Sequence, residues 1–388
     1  MKTAAGLASS LLLGLLATSA LARPMHPLND VQMGQVVAGT DFTIVNEITN
    51  QTTVNATTFD PALKNSWGLS EFPNGGPLWV ADNNSGLATI YNFKTFAKIG
   101  GPPGSGIAIP GIQGGAGTPT GNVFTTLSTD AFDLTPGNAN THAFFVFDTE
   151  DGLIAAWAPK VSLGSAITVV DQSNGDGSGA VFKGLAISHR GDTDDARLFA
   201  ADFRDNKVET FDSNFHPIGS FTDPTVPAGF APFDVQVLDH KLYVTFAKQQ
   251  PGGHDDDAGP GNGFVDVFNL NGQLEKRLVS GGVLNSPWGL AIAPDSFGKF
   301  AGALLVGNFG DGKINAFDIH TGKFLGTLTN AANQQLTIDG LWAMIPGSDG
   351  AEIFSSGPNG EMDGLVGVIR PNWAPASWAF QSHVKMGR

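Results

Sequence analysis

The chain has 388 residues and no cysteine, with 21 lysines and arginines against 36 aspartates and glutamates, a formal net charge of −15. That balance excludes a nucleic-acid partner, whose phosphates need a basic surface, and disfavours an anionic membrane; it suits solubility, cations and basic partners. A chain with no disulfide to staple it must rest on a large core or on a closed ring.

The start of the chain is set apart from the rest. Met1-Lys2-Thr3 is positive, an uncharged apolar run continues to about Ala17, and Ala20-Leu21-Ala22 precedes Arg23-Pro24. This pattern predicts a cleaved secretory signal over residues 1–22, with a secreted (extracellular or periplasmic) product. The apolar run is short for a membrane span, and no later segment predicts one. Residues 23–40 form an N-terminal extension, 41–371 carry the patterned region, and 372–388 are a C-terminal tail. Glycosylation sequons begin at Asn50, Asn55 and Asn83.

Short apolar strands follow in chain order: Phe42–Ile48, Leu78–Ala81, Ala143–Phe147, Arg197–Ala201, Lys241–Phe246 and Ala303–Gly307. All but the first are followed by a polar turn and a second strand ending in an aromatic, as at Tyr91, Trp157, Phe211, Phe268 and Phe317. No amphipathic helix is predicted. Repeats begin near Trp67, Gly121, Gly184, Phe233, Trp288 and Leu341, a spacing that suits one four-stranded antiparallel sheet each. Such sheets bury both faces by packing around an axis. The prediction is an all-β, six-bladed β-propeller of four-stranded antiparallel blades, the last blade closed by the N-terminal strand Phe42–Ile48. The Gly/Pro-rich stretch 100–120 is expected to be an excursion between blades.

The segments Asn65–Leu69, Leu78–Asn83, Thr149–Gly152, Lys183–Ala186, Ala200–Arg204, Ala228–Phe233, Gly259–Phe268, Leu305–Gly312 and Ile338–Trp342 carry a resemblance. Through them nearly the whole chain after the leader resembles the uncharacterised secreted six-bladed β-propeller proteins of bacteria and fungi, similar in style to NHL-repeat and gluconolactonase-type propellers. The resemblance implies the fold. It implies no firm activity.

Propeller geometry narrows the search for a site. The inner strand of every blade starts on one face, and the turn between second and third strands returns to it. Taking the residue before each inner-strand glycine, or its equivalent, predicts a mouth ring of Trp67, Thr120, Lys183, Phe233, Trp288 and Asp339, with Trp342 in support and Asp234 lower in the channel. The turns on that face are Asp82–Gly86, Asp148–Gly152, Asp202–Asn206, Gly252–Gly263, Asn308–Gly312 and Pro358–Gly364, and they hold much of the acidic excess. An aromatic mouth with an acidic rim suits ligand binding. The alternatives are that Trp67 and Trp288 plug the channel and that Lys183 and Asp339 form an ion pair.

Consecutive carboxylates at Asp255, Asp256 and Asp257, after His254, could offer oxygens to Ca²⁺ or another divalent cation, although the spacing is not that of an EF-hand loop. Gly175–Gly179 is a weaker candidate of the same kind. His142, His189, His216 and His240 show no metal-ligand spacing, and no nucleophile elbow, zincin motif or phosphate loop is present. Two functions follow. One is a monomeric binding module for a small molecule, a sugar or an extracellular protein. The other is a metal-dependent lactonase or hydrolase, for which the gluconolactonase resemblance implies a mouth cation. Asp339-Gly340 resembles one of those metal positions, while Trp288 and Trp67 stand where an Asn and an acidic ligand are expected.

Overall fold

The computed structural model describes residues 41–125, 131–135, 138–188, 196–347 and 349–372. The proposed leader, the extension, His189 and the tail beyond Asn372 lie outside the described residues.

Six antiparallel sheets follow one another. Blade one is β3 (Ser66–Glu71), β4 (Pro77–Asp82), β5 (Leu87–Asn92) and β6 (Ile107–Ala108). Blade two is β7 (Pro119–Phe124), β8 (Phe145–Thr149), β9 (Leu153–Trp157) and β10 (Ile167–Asp171). Blade three is β11 (Phe182–Ile187), β12 (Leu198–Asp202), β13 (Lys207–Phe211) and β14 (Pro217–Phe221). Blade four is β15 (Phe230–Leu238), β16 (Lys241–Lys248), β17 (Phe264–Phe268) and β18 (Leu274–Ser280). Blade five is β19 (Pro287–Ile292), β20 (Leu304–Asn308), β21 (Ile314–Phe317) and β22 (Phe324–Thr327). Blade six takes β23 (Leu341–Pro346), β24 (Glu352–Ser356) and β25 (Leu365–Pro371) from the end of the chain and β1 (Phe42–Thr49) from its start, with β2 (Thr58–Phe59) added in parallel. Thus β1 pairs antiparallel with β25 along Ile44↔Ile369 and Ile48↔Val366, which closes the ring and covers a sheet edge. The described residues contain no helix long and apolar enough to cross a membrane.

Burial grades outward within a blade. In β16 the residues between the two terminal lysines are all buried, whereas β14 is exposed along most of its length. Second strands touch neighbouring blades on both faces and therefore read as near-continuous apolar runs, while outer strands meet water. Each fully buried Leu or Phe contributes roughly 1.5–3 kcal/mol. The stretch 100–120 differs from expectation. It supplies β6, the fourth strand of blade one, through the pairs Leu87↔Ala108 and Ala88↔Ile107; two residues make too short a strand to show as a pattern.

The recurring glycine at the start of the inner strands has a steric cause. A Cβ on Gly68 would lie 2.5 Å from the Thr120 carbonyl oxygen, and one on Gly121 would lie 2.4 Å from the Leu185 nitrogen. Inner strands crowd the axis, and only a residue without Cβ lets the next blade approach. At the same point each inner strand slips register against its neighbour, between Ser66 and Leu69 in blade one and between Pro287 and Gly289 in blade five. This β-bulge re-aims the residue before the glycine.

Candidate functional site

The bulged residues of the six inner strands are Trp67, Thr120, Lys183, Phe233, Trp288 and Trp342. The sixth position is therefore Trp342 rather than Asp339. Blade six carries Ala343 where blades one, two, three and five carry glycine, so the search for an x-Gly step settles on Asp339-Gly340, three residues early. Asp339 is exposed before β23, where its Oδ2 accepts a hydrogen bond from the Asn359 backbone N–H at 2.8 Å.

Three tryptophans fill the centre. Trp67 and Trp342 stack with ring centroids 3.5 Å apart and planes at 19°. Trp288 meets both edge-on, at 6.1 and 5.8 Å. Phe233 packs on Phe203 at 5.2 Å and Trp342 at 6.1 Å, and Phe309 stacks on Trp342 at 4.0 Å. The Trp288 indole N–H donates to the Lys183 carbonyl at 2.9 Å, and that of Trp342 donates to Asn65 Oδ1 at 3.0 Å. The Trp67 indole nitrogen is buried with no hydrogen-bond partner among the described residues. Thr120 is wholly buried, with its hydroxyl donating to Asp148 Oδ1 and to the Phe182 carbonyl. The tryptophans and Phe233 thus form a plug, and the large tryptophan faces are taken up by stacking.

Lys183 is buried at the edge of this plug, its Nζ 5.1 Å from the Trp67 ring centroid. Its ion-pair partner is Glu150, not Asp339. Glu150 also accepts from the Asn83 amide at 2.8 Å. Asn83 is buried in that contact, so its sequon is not a free glycan acceptor, whereas Asn55 is exposed.

Above the plug lies an open pocket of about 300 Å³. Its walls carry Glu150, Asp255, Asp256 and Glu361, with Gln250 beside them, and Trp67, Trp342, Phe309 and Lys183 form the floor. Burial pushes Asp256 above the usual carboxylate range. Burial does the same for Glu361, helped by the like charge of Glu150, although the Asn65 amide donates to Glu361 at 2.8 Å and opposes the rise. For Asp255, burial is outweighed by its hydrogen bond to His254 and by the Lys183 charge, so its carboxyl is held low.

The proposed Asp255, Asp256 and Asp257 metal set does not converge. Asp257 turns to Lys248 at 2.5 Å, outside the pocket. Asp255 instead joins His254 and Glu150, with one ligand atom from each within 4.8 Å of the others. Consecutive residues on an extended loop point in different directions, so adjacency in sequence was a poor guide. Glu150, Glu361 and Phe309 were missed as individuals. Their signal was present, because all three lie on turns between second and third strands that return to the mouth face.

Comparison places the chain among known proteins. No family model matches it. It is 34% identical over 336 residues to the uncharacterized protein R648 of Acanthamoeba polyphaga mimivirus, covering 84% of this chain and 79% of that one. It is 32% identical over 339 residues to the uncharacterized protein L690 of the same virus, covering 84% and 85%. Among solved structures, the soluble aldose sugar dehydrogenase of Escherichia coli in its apo-form superposes with a TM-score of 0.51 at 12% identity, covering 85% of this chain and 100% of that one, a likeness of fold alone. The six-bladed propeller described here belongs to the same protein family as the uncharacterised mimivirus proteins R648 and L690.

Proposed function

We propose that this propeller is a secreted, monomeric binding module whose mouth pocket takes a small polyhydroxylated ligand of the sugar class. The observation that carries this is the composition of the pocket. Carboxylates of Glu150, Asp255, Asp256 and Glu361 stand as acceptors around a floor that offers the half-buried ring of Phe309. Sugar hydroxyls donate to carboxylates, and the C–H face of a pyranose lies on an aromatic ring. Calorimetric titration with a panel of mono- and disaccharides tests the reading. Binding that weakens roughly tenfold in Glu361→Gln, which removes the charge of one acceptor and keeps its size, supports it. Uniform absence of heat across the panel at millimolar sugar overturns it. The leader-like residues 1–22 support export, and an exported product whose mass begins at Arg23 is the check on that part.

A second reading is favoured by the convergence of Glu150, His254 and Asp255 beside the open pocket. A divalent cation held there would polarise a lactone carbonyl and activate water. Lactone turnover that depends on added divalent metal and is lost in His254→Ala would favour the hydrolase over the binding module.

A further inference from the structure

The three sequons differ in what the fold leaves free. The Asn83 side chain is almost wholly buried, and its amide donates to Glu150 Oε2 at 2.8 Å. The Asn50 amide donates to Asp363 Oδ1 at 3.0 Å, while its carbonyl oxygen accepts from the Gly364 backbone N–H at 2.9 Å. Both polar atoms of Asn50 thus fasten the end of β1 to the loop before β25. Asn55 is exposed, and its side chain bonds to no described residue. Thr57, which completes the Asn55-Ala56-Thr57 motif, is exposed as well. A glycan needs a free amide nitrogen with open space around it, and of the three sequons Asn55 alone offers both.

The same sequon stands beside an open sheet edge. β2 pairs with β1 only at Ile48 and Thr49, so Thr43–Glu47 has β25 on one side and, among the described residues, no strand on the other. Val45 in this stretch and Phe59 in β2 are exposed apolar side chains. The Thr57 hydroxyl donates to Glu47 Oε2 at 2.6 Å, which sets the sequon against β1 next to the open stretch. A bare edge of this kind is a template for pairing with another chain. β18, the outer strand of blade four, carries Glu275, Lys276 and Arg277, charges that discourage such pairing, whereas Thr43-Ile44-Val45-Asn46 carries none.

We infer that Asn55 carries an N-linked oligosaccharide that covers the outer edge of β1. The inference rests on the export proposed above, since the donor, an oligosaccharide carried on a lipid diphosphate, is supplied by a secretory membrane. Transfer forms a bond from Asn55 Nδ2 to C1 of the first sugar. The bond from C1 to the diphosphate oxygen breaks, the diphosphate leaves with the electron pair, and the amide gives up one proton. All three sequons are open to this reaction while the chain is extended, and the fold then selects among them. A sugar on the Asn83 nitrogen would take the place of Glu150, and one on Asn50 would part β1 from Asp363. A bulky hydrated chain beside Thr57 obstructs a second strand from pairing along Thr43–Glu47.

The test is to secrete the full chain from a eukaryotic host and treat the folded product with a peptide N-glycosidase in heavy-oxygen water, which marks each released asparagine as a labelled aspartate for peptide mapping. The expected result is one glycan, at Asn55, released without denaturant. Thr57→Ser should keep it, and Asn55→Gln and Thr57→Ala should lack it. By light scattering, the Asn55→Gln chain and the enzyme-treated wild type should begin to associate at a concentration roughly tenfold below that of the glycosylated chain. An exported chain with Asn55 unmodified, or with its glycan on Asn50 or Asn83, overturns the inference. Association unchanged by removal of the glycan overturns it too. Should residues 1–22 fail to direct export, the secretion reading falls, and the same mapping on residues 23–388 behind the host's own leader decides on Asn55.

Discussion

Trp67 and Trp342 stack face to face, centroids 3.5 Å apart, across the junction between the first and last blades. The backbone supports the stack, since Ser355 of blade six donates its hydroxyl to the Trp67 carbonyl and Asn65 of blade one accepts from the Trp342 indole. The two ends of the ring are therefore joined twice, at the rim by β1 on β25 and at the axis by this pair. Trp342→Ala should cost about 3–5 kcal/mol in urea unfolding, the range for emptying a large aromatic site. A loss below about 1 kcal/mol would mean that the stack serves a ligand and not the ring.

The rim junction makes its own prediction. A chain lacking residues 41–59 loses the outer strand of blade six and bares the edge of β25. Size-exclusion chromatography should show it associating more than the full chain does.

Stability should fall as pH rises toward neutrality. Burial pushes Asp82 to about 8, Asp148 to about 7, Asp266 to about 7 and Asp202 to about 6. A carboxyl raised on folding stabilises the fold fully below its unfolded value near 4, and the contribution is lost as pH climbs through the folded value. The unfolding midpoint should thus decline between pH about 4 and about 8. Asp82→Asn should flatten the upper part of that decline. A midpoint that rises between pH 5 and 8 would contradict the burial argument.

Asp60 works in the opposite direction. It pairs with Lys98 at 2.6 Å and accepts from Tyr91 at 2.8 Å and from the Gly104 backbone at 2.7 Å. Burial, which would raise it, is outweighed by Lys98 and the backbone donors, so its carboxyl is held low and its contribution is lost only as pH falls through that lowered value. Asp60→Ala should cost about 3–5 kcal/mol, because the nearly buried Lys98 loses its counter-charge. The double change Asp60→Ala/Lys98→Met should recover part of this in the same denaturation assay.

Lys183 bears on the choice between ligands at the mouth. Its ammonium neutralises Glu150, one of the three groups that could hold a metal. Lys183→Met should tighten Mn²⁺ binding at the mouth by at least roughly tenfold, read by titration. Unchanged affinity would indicate that Glu150, His254 and Asp255 do not act together.

Much of this protein was legible in the linear sequence, for a reason particular to propellers. Each blade repeats the same demands: a crowded inner strand, marked by a glycine in four of the six blades, a doubly buried second strand, a polar turn. Trp67-Gly68 and Trp288-Gly289 announce those demands locally, and the strand-like Phe42–Ile48 before the first repeat is enough to predict the closing strand. The mouth site was less visible, because its groups come from turns on different blades and meet only when the ring closes. Lys183 finds Glu150 and not Asp339, Asp255 leaves its sequence neighbours for Glu150, and Trp342 takes the sixth ring position because Ala343 replaces the glycine that marks it elsewhere. Local spacing and residue size determined the blades. Side-chain direction, which depends on bulges and on how six sheets are set around one axis, was decided by the tertiary structure alone.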